Sequence, residues 1–380
     1  MDRLIVKNFG PLKDVDIELN KINLFIGENG SGKSVLAKLV TIFTDKNNWK
    51  NNEILIKIEE FDISFITEET FIKLNINDDV NRSISLENQK IVFGDLFQEL
   101  NQVIKQNELN KQKIDALVNQ IKELPIEMKQ TIEFAMIDYM RVNKKLSSQY
   151  IPAERSFLSF ISKSLSSFIV SDIPLAKFFL RFSSEFEKAG NELKELEFLN
   201  VKYINGDGLD RHKIYFNNKD YLPLAQSSSG IQSALPLYLT VKYFSEKYGS
   251  IIIEEPEQNL FPKAQTETIK YIIEQISEEN SLLIMTHSPY VLSTFNNLIF
   301  SHKVAQMSEK TKEQVKEFVK EEQWINPDEF SAYYLENGVA RNIKSSRGLI
   351  SDNEIDDISE DIAGEFDGLM EIYREFKYAK

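Results

Sequence analysis

The sequence predicts an α/β fold in which a sheet feeding a glycine-rich loop is joined to an antiparallel β lobe and a short helical insertion. Three observations carry this. Apolar strands alternate with helical stretches after Ile231, a pattern that builds a parallel sheet covered by helices. A short apolar run, Ile22-Asn23-Leu24-Phe25-Ile26, enters Gly27-Glu28-Asn29-Gly30-Ser31-Gly32-Lys33-Ser34, after which Val35, Leu36, Leu39, Val40 and Phe43 recur at helical spacing. Short strand-like runs with Asn/Asp-rich connections fill much of the interval before residue 94.

Taken in order, residues 1–94 form the first lobe. Leu4-Ile5-Val6 and Val15-Asp16-Ile17-Glu18-Leu19 read as a hairpin around Asn8-Phe9-Gly10-Pro11. Further β-type segments are expected at 54–58, 63–66, 71–76 and 83–86. Residues 95–200 read as the helical insertion. Leu96, Leu100, Val103 and Ile104, then Ile114, Leu117, Ile121 and Leu124, share a helical period; Pro125 breaks the run and a second helix follows to about Asn143. Tyr150-Ile151-Pro152-Ala153-Glu154-Arg155 reads as a hinge, followed by helix from Phe157 to about Leu199.

Residues 201–380 form the last lobe. Lys213 to Phe216 and Tyr221 to Leu224 flank an Asn217-Asn218 turn as a hairpin. Helix is expected from Ile231 to about Tyr248, strand at 250–253, helix from about Gln265 to Glu279 and strand at 282–285.

Composition narrows the class. A chain of 380 residues that is 42% hydrophobic can bury one large or two ordinary cores. No apolar run is long enough to span a membrane, and the start lacks a signal-peptide layout. The absence of Cys excludes disulfides and thiolate metal sites, and three His make a His-rich metal site a poor fit; a cytoplasmic location is expected. The net charge of −14 argues against generic adhesion to nucleic acid, though a local basic groove remains open. Acidic residues crowd between Asp352 and Asp367, a solvated face or a partner-facing tail.

The glycine-rich loop has the spacing of a phosphate-binding loop. Glycines let successive backbone N–H groups curl around a phosphate, and the following helix presents its positive end. Gly27, Asn29, Gly30, Ser31, Gly32, Lys33 and Ser34 are the candidate nucleotide-binding residues. Lys33 would reach the phosphates as a point charge, and the Ser34 hydroxyl would hold Mg²⁺.

Downstream, Ile251-Ile252-Ile253-Glu254-Glu255-Pro256-Glu257 is an apolar strand ending in carboxylates. Glu254 would hold the metal, and Glu255 would polarise water for attack on the γ-phosphate. His287 follows the strand Leu283-Ile284-Met285-Thr286 after one helical crossover, at the carboxyl end where such folds bind ligands; a lone His is otherwise usually structural. Gln226-Ser227-Ser228-Ser229-Gly230-Ile231-Gln232-Ser233 opens a helix. It reads either as an ordinary helix cap or as a second anion site using Ser229, Gly230 and Gln232.

These four motifs, in this order, resemble the ABC-type ATPases, in the branch containing RecF, SMC and Rad50 heads and the ATPase part of OLD-family proteins. The sequence looks like Walker A at Gly27 to Ser34, the signature motif at Ser228 to Gln232, Walker B at Ile251 to Glu255 and the switch histidine at His287. Tyr150 to Ser156, Ser228 to Ser233 and Glu254 to Glu257 are similar to stand-alone bacterial ATPases of the AAA15/AAA21 type, several of which serve anti-phage or toxin-like systems beside a separate effector. The chain departs from the pattern at Ser228 and Ile231 in the signature, at Glu254 where Asp is commoner, and at Phe261 in the D-loop Asp position.

The resemblance implies an ABC-type ATPase head using ATP and Mg²⁺. Two copies would close on ATP as a homodimer, one presenting Walker A, Glu254, Glu255 and His287, the other Ser229 and Gly230. Hydrolysis would be slow, and a separate protein effector, a nuclease or toxin, would be gated. The alternative is a RecF-like DNA-repair clamp, with Lys129, Arg141, Lys144 and Lys145 as candidate DNA contacts or simply a solvated helix face. A transport ATPase would place its signature nearer Walker A, and no Asn-Lys-x-Asp run supports a GTPase. OLD-type nucleases carry a Toprim domain after the ATPase; no Asp-x-Asp run follows His287, so intrinsic nuclease activity is not expected.

Overall fold

The computed structural model describes residues 2–49, 53–76, 79–87, 89–93, 147–161, 175–206, 211–217, 219–351, 364–365 and 367–374. The predicted helices over 95–146, with Lys129, Arg141, Lys144 and Lys145, lie outside these residues, as does most of the acidic run after Ser351.

The chain opens as the expected hairpin, β1 (Asp2–Phe9) against β2 (Leu12–Leu19), with Leu4, Val6 and Phe9 buried. Strand β3 (Ile22–Ile26) is buried throughout and delivers the glycine-rich loop to α1 (Lys33–Thr44). Residues 54–58, expected as strand, lie instead in α2 (Glu53–Glu60). Ile54 and Ile58 are one helical turn apart and both buried, while Ile56 is 48% exposed; the isoleucines carry strand propensity, but their packing has a helical period. Residues 63–66 form no strand. Ile63 is buried in the core from an irregular segment, while the more exposed Phe65 packs edge-to-face over Phe9. Strands β4 (Phe71–Ile76), β5 (Asp79–Glu87) and β6 (Lys90–Phe93) complete the antiparallel lobe.

Strand β7 (Ser148–Ile151) pairs in parallel with the acidic strand, so these residues belong to the sheet although they fall within the interval read as insertion. The hinge expectation at 150–155 does not hold: a 3-10 turn spans Ala153–Phe157, and Arg155 within it is fully buried. Helix α3 (Lys177–Leu193) ends before the expected Leu199, and β8 (Glu195–Phe198) turns back into β9 (Val201–Asn205). Leu199 and Asn200 both have positive φ, 45° and 63°, as a two-residue hairpin turn of matched twist requires. With β10 (His212–Tyr215) and β11 (Tyr221–Pro223) these strands make a separate four-stranded antiparallel sheet.

Then come α4 (Ser229–Lys247), β12 (Ser250–Glu254), α5 (Pro262–Gln275), β13 (Ser281–Thr286), α6 (Pro289–Ala305), α7 (Glu309–Lys316), β14 (Phe330–Glu336) and β15 (Val339–Asn342). Among the described residues the large sheet has 11 strands in the order β6-β5-β4-β1-β2-β15-β14-β3-β13-β12-β7. From β14 to β7 every neighbouring pair is parallel. Alternate residues of these strands enter different cores: Ile251, Ile253 and Ile284 face the side covered by α4, α5 and α6, while Ile252, Leu283 and Met285 face the side covered by α1. Burial on both faces is why β12 and β13 are near-continuous apolar runs. Their carboxyl ends, at Ile26, Glu254 and Thr286, lie side by side.

Candidate nucleotide-binding and hydrolysis site

The loop from Gly27 to Ser34 is built so that the chain passes where no side chain fits. A Cβ on Gly27 would stand 2.1 Å from the Leu335 carbonyl oxygen of β14. Glu28, Asn29 and Gly30 are exposed at the mouth, Ser31 and Lys33 are buried, and Ser34 is exposed on the first turn of α1. Gly32 occupies the N-cap of α1, which has no side-chain cap and no acidic residue in its first turn. The helix's first N–H groups are therefore left for an external anion.

Lys33 turns back into the loop. Its ammonium donates to the Gly27 and Glu28 carbonyls, each at 2.7 Å, and to the Ser31 hydroxyl at 3.3 Å. Burial pulls its pKa down to about 8, partly countered by Glu255, Glu254, Glu257 and Glu28.

Glu254 ends β12 and is buried beside the Tyr150 and Ser34 hydroxyls, and among the described residues its Oε1 has no hydrogen-bond partner. Burial pushes its pKa up to about 7. Glu255 follows with φ 44°, a left-handed backbone that costs a non-glycine residue about 1–3 kcal/mol unless its surroundings impose it. Here they do: Glu255 N–H donates to the Met285 carbonyl at 2.8 Å, and its own carbonyl accepts from Gln258 N–H and Arg155 Nη2. Glu255 Oε1 lies 3.6 Å from His287 Nε2.

His287 caps the neighbouring strand. Its imidazole lies beside the Gly27 backbone, and burial together with the Lys33 charge lowers its pKa, favouring the neutral ring. Glu257 holds this loop by accepting from Thr286 Oγ1 at 2.7 Å and from His287 N–H at 2.8 Å.

The helix-opening motif is placed differently. Ser228 caps α4 by accepting from Ile231 N–H, Ser228 and Ser229 are exposed, and Gly230 lies against the Asn259 carbonyl. Gln232 is buried and donates to the Ala225 and Ser227 carbonyls at 3.1 and 2.9 Å, so its amide nitrogen fastens the preceding loop. A role in holding nucleotide, expected for it with Ser229 and Gly230, would have to be met by its oxygen. Phe261, in the position expected for the D-loop Asp, is the exposed N-cap of α5.

Lys33, Glu254, Glu255 and His287 thus stand around one loop. Tyr150, Glu257 and Arg155 join them, three residues with no expected role there. The run Glu254-Glu255-Pro256-Glu257 was a signal for the second; the other two touch the site from segments distant in sequence.

The orphaned Oε1 of Glu254, with the Ser34 hydroxyl beside the same carboxylate, suits a hard cation that takes oxygen ligands. Among the described residues no cluster of three or more His, Asp or Glu could hold a metal by itself. That accords with Mg²⁺, which takes one or two carboxylates and completes its shell from phosphates and water.

A helix end left uncapped above a loop of donors, with a lysine parked on the loop's own carbonyls, is the arrangement of P-loop nucleotide-binding proteins, and that class describes this chain. The chain belongs to the AAA ATPase domain family, whose model matches residues 1–173 and 81–292. No curated protein matches it. Its fold is similar to a crystallised Smc head domain bound to the C-terminal domain of ScpA derived from Pyrococcus furiosus (13% identity, 96% of this chain and 100% of that one, TM-score 0.38). It is similar also to the SMC head domain from Thermotoga maritima (11%, 90% and 97%, 0.36) and to the ADP conformation of MJ1267, an ATP-binding cassette of an ABC transporter (14%, 90% and 90%, 0.34). Among the described residues no helix is long and apolar enough to cross a membrane.

Proposed function

We propose that this chain is an ABC-type ATPase that binds ATP with Mg²⁺, hydrolyses it slowly, and uses the nucleotide to switch a homodimer between open and closed states. The observation that carries this reading is the approach of Glu255 Oε1 to His287 Nε2 beside the Gly27 backbone, where a γ-phosphate would enter. Glu255 would orient and deprotonate the attacking water, while neutral His287 would donate to the γ-phosphate. Lys33 would leave the loop carbonyls for the phosphates, and the backbone N–H groups from Asn29 to Ser34 would cradle them. Glu254 and Ser34 would hold Mg²⁺, which neutralises phosphate charge.

The exposed Ser229 at the start of α4 supports a site completed by a second copy, since that helix end faces solvent within one chain. ATP would then favour the closed dimer by its differential affinity for it. The output is a separate effector protein, a nuclease or toxin of an anti-phage system. The test is the solution mass of Glu255→Gln, by light scattering after gel filtration, with and without Mg·ATP. Doubling of the mass with ATP is expected; a monomer throughout would overturn the switch.

A further inference from the structure

Arg155 is fully buried, yet every hydrogen bond described for it ends on a backbone carbonyl. Nε donates to Ser233 of α4 at 3.1 Å. Nη1 donates to Pro152 at 3.1 Å and to Glu254 at 2.7 Å, and Nη2 donates to Glu255 at 2.5 Å. A buried guanidinium is costly to desolvate, and nothing in general packing calls for one here. Its position is informative. It joins the first turns of the helix that carries Ser229 and Gly230 to Glu254 at the end of β12 and to Glu255, which follows it.

The bond to the Glu255 carbonyl matters most, because Glu255 is the residue held in a left-handed backbone. The carbonyl direction and the side-chain direction of one residue are coupled through φ and ψ, so a donor that fixes the carbonyl also aims the carboxylate. The same guanidinium plane ends on the Ser233 carbonyl, so a shift of α4 moves the anchor of Glu255. The rigid fork is suited to this in a way that an ammonium is not, since Lys carries its three donors on one nitrogen where Arg spreads five over three in a fixed plane.

We propose that Arg155 is a positioning residue that couples the placement of α4 to the aim of the Glu255 carboxylate, so that hydrolysis proceeds only when the start of α4 is correctly docked. The inference rests on the role given to Glu255 under the proposed function. The test is Arg155→Lys in the full chain, alone and combined with Glu255→Gln, reading Mg·ATP affinity and single-turnover hydrolysis separately. Arg155→Lys should bind Mg·ATP within about threefold of the parent and lose roughly 30- to 100-fold in hydrolysis rate, the scale set by small misplacements of reacting groups. In the Glu255→Gln background the same change should cost nothing further.

An unchanged rate in Arg155→Lys, or an equal loss in both backgrounds, would overturn the proposal while leaving the proposed function standing. A parental rate in Glu255→Gln alone would overturn the role of Glu255 and this inference with it. Should Arg155→Lys fail to fold, the unmodified protein labelled with ¹⁵N-arginine gives the answer: the Arg155 Nε resonance should shift when a non-hydrolysable Mg·ATP analogue binds. An unmoved resonance on saturation would overturn the coupling.

Discussion

Glu257 accepts the backbone N–H of His287 at 2.8 Å, so the loop carrying the histidine hangs from the loop that follows the acidic strand. The same oxygen takes the hydroxyl of fully buried Thr286. Glu257→Ala would leave both donors without a partner, a cost of about 1–3 kcal/mol for a buried group. Its expected signature is a lower midpoint in urea and about a tenfold slower hydrolysis, because His287 loses its anchor. Glu257→Gln keeps a carbonyl oxygen there and should recover most of both; an equal loss in the two variants would refute the anchoring role.

Lys33 should report nucleotide binding through protons. Its pKa of about 8 in the folded chain lies below the ordinary 10.5, so the folded chain holds fewer protons than the unfolded one between those values. Stability from this group therefore rises with pH across that window. Bound triphosphate restores the charge, so binding above pH 8 should take up a fraction of a proton that grows toward about one. Calorimetric titration in buffers of different ionisation heat measures the uptake, and Lys33→Met should abolish it.

Glu254 gives the opposite slope. Its folded pKa of about 7 exceeds the ordinary 4.5, so the folded chain binds more protons in between. The stabilisation is complete below the lower value and is lost as pH rises through about 7. In chelator, Glu254→Gln should flatten this dependence and stabilise the chain at pH 8 by on the order of 3 kcal/mol at most. Hydrolysis should be lost in the same variant. Denaturant titrations at pH 5 and pH 8 decide it; an unchanged slope would show that Glu254 is not the titrating group.

Gly338 tests how closely the β14–β15 turn is fitted to the hairpin that precedes the phosphate loop. Its φ is 80°, and a Cβ would stand 2.1 Å from the Pro11 carbonyl oxygen and 2.8 Å from Lys13 N. Its own carbonyl accepts from Lys13 N–H and Asp14 N–H. Gly338→Ala should cost about 3 kcal/mol or more, combining backbone strain with displacement of a paired segment. A melting temperature within a degree or so of the parent would contradict this close fit.

Much of the site could be read from residue order alone. β3, β12 and β13 are buried on both faces, so they appear as apolar runs broken only by Asn23 between their ends, and the glycines and carboxylates at their ends mark where ligands bind. Isoleucines at 54, 56 and 58 mimicked a strand because β-branched residues suit either period when only two of them are buried. β14 passed unseen since Phe330-Ser331-Ala332-Tyr333-Tyr334-Leu335 has neither alternation nor a branched run; its tyrosines are paid for by partners far away, as when Tyr333 accepts from Glu18 N–H. Arg155 looked like part of a polar hinge, because nothing in the order of residues marks a guanidinium whose acceptors are carbonyls brought in by other segments.

The placement of β14 and β15 bears on when this protein becomes competent during its manufacture. In the sheet they stand between β2 and β3, so the strand that delivers the phosphate loop has β14 on one side and β13 on the other. A ribosome releases β3 long before either neighbour exists, and until Glu336 has emerged the loop lacks the Leu335 carbonyl against which Gly27 packs. A nascent chain therefore has no finished nucleotide site at any earlier point. Completion of the hairpin ending at Asn342 is therefore what closes the packing around the loop, and a fragment released short of β14 would lack it.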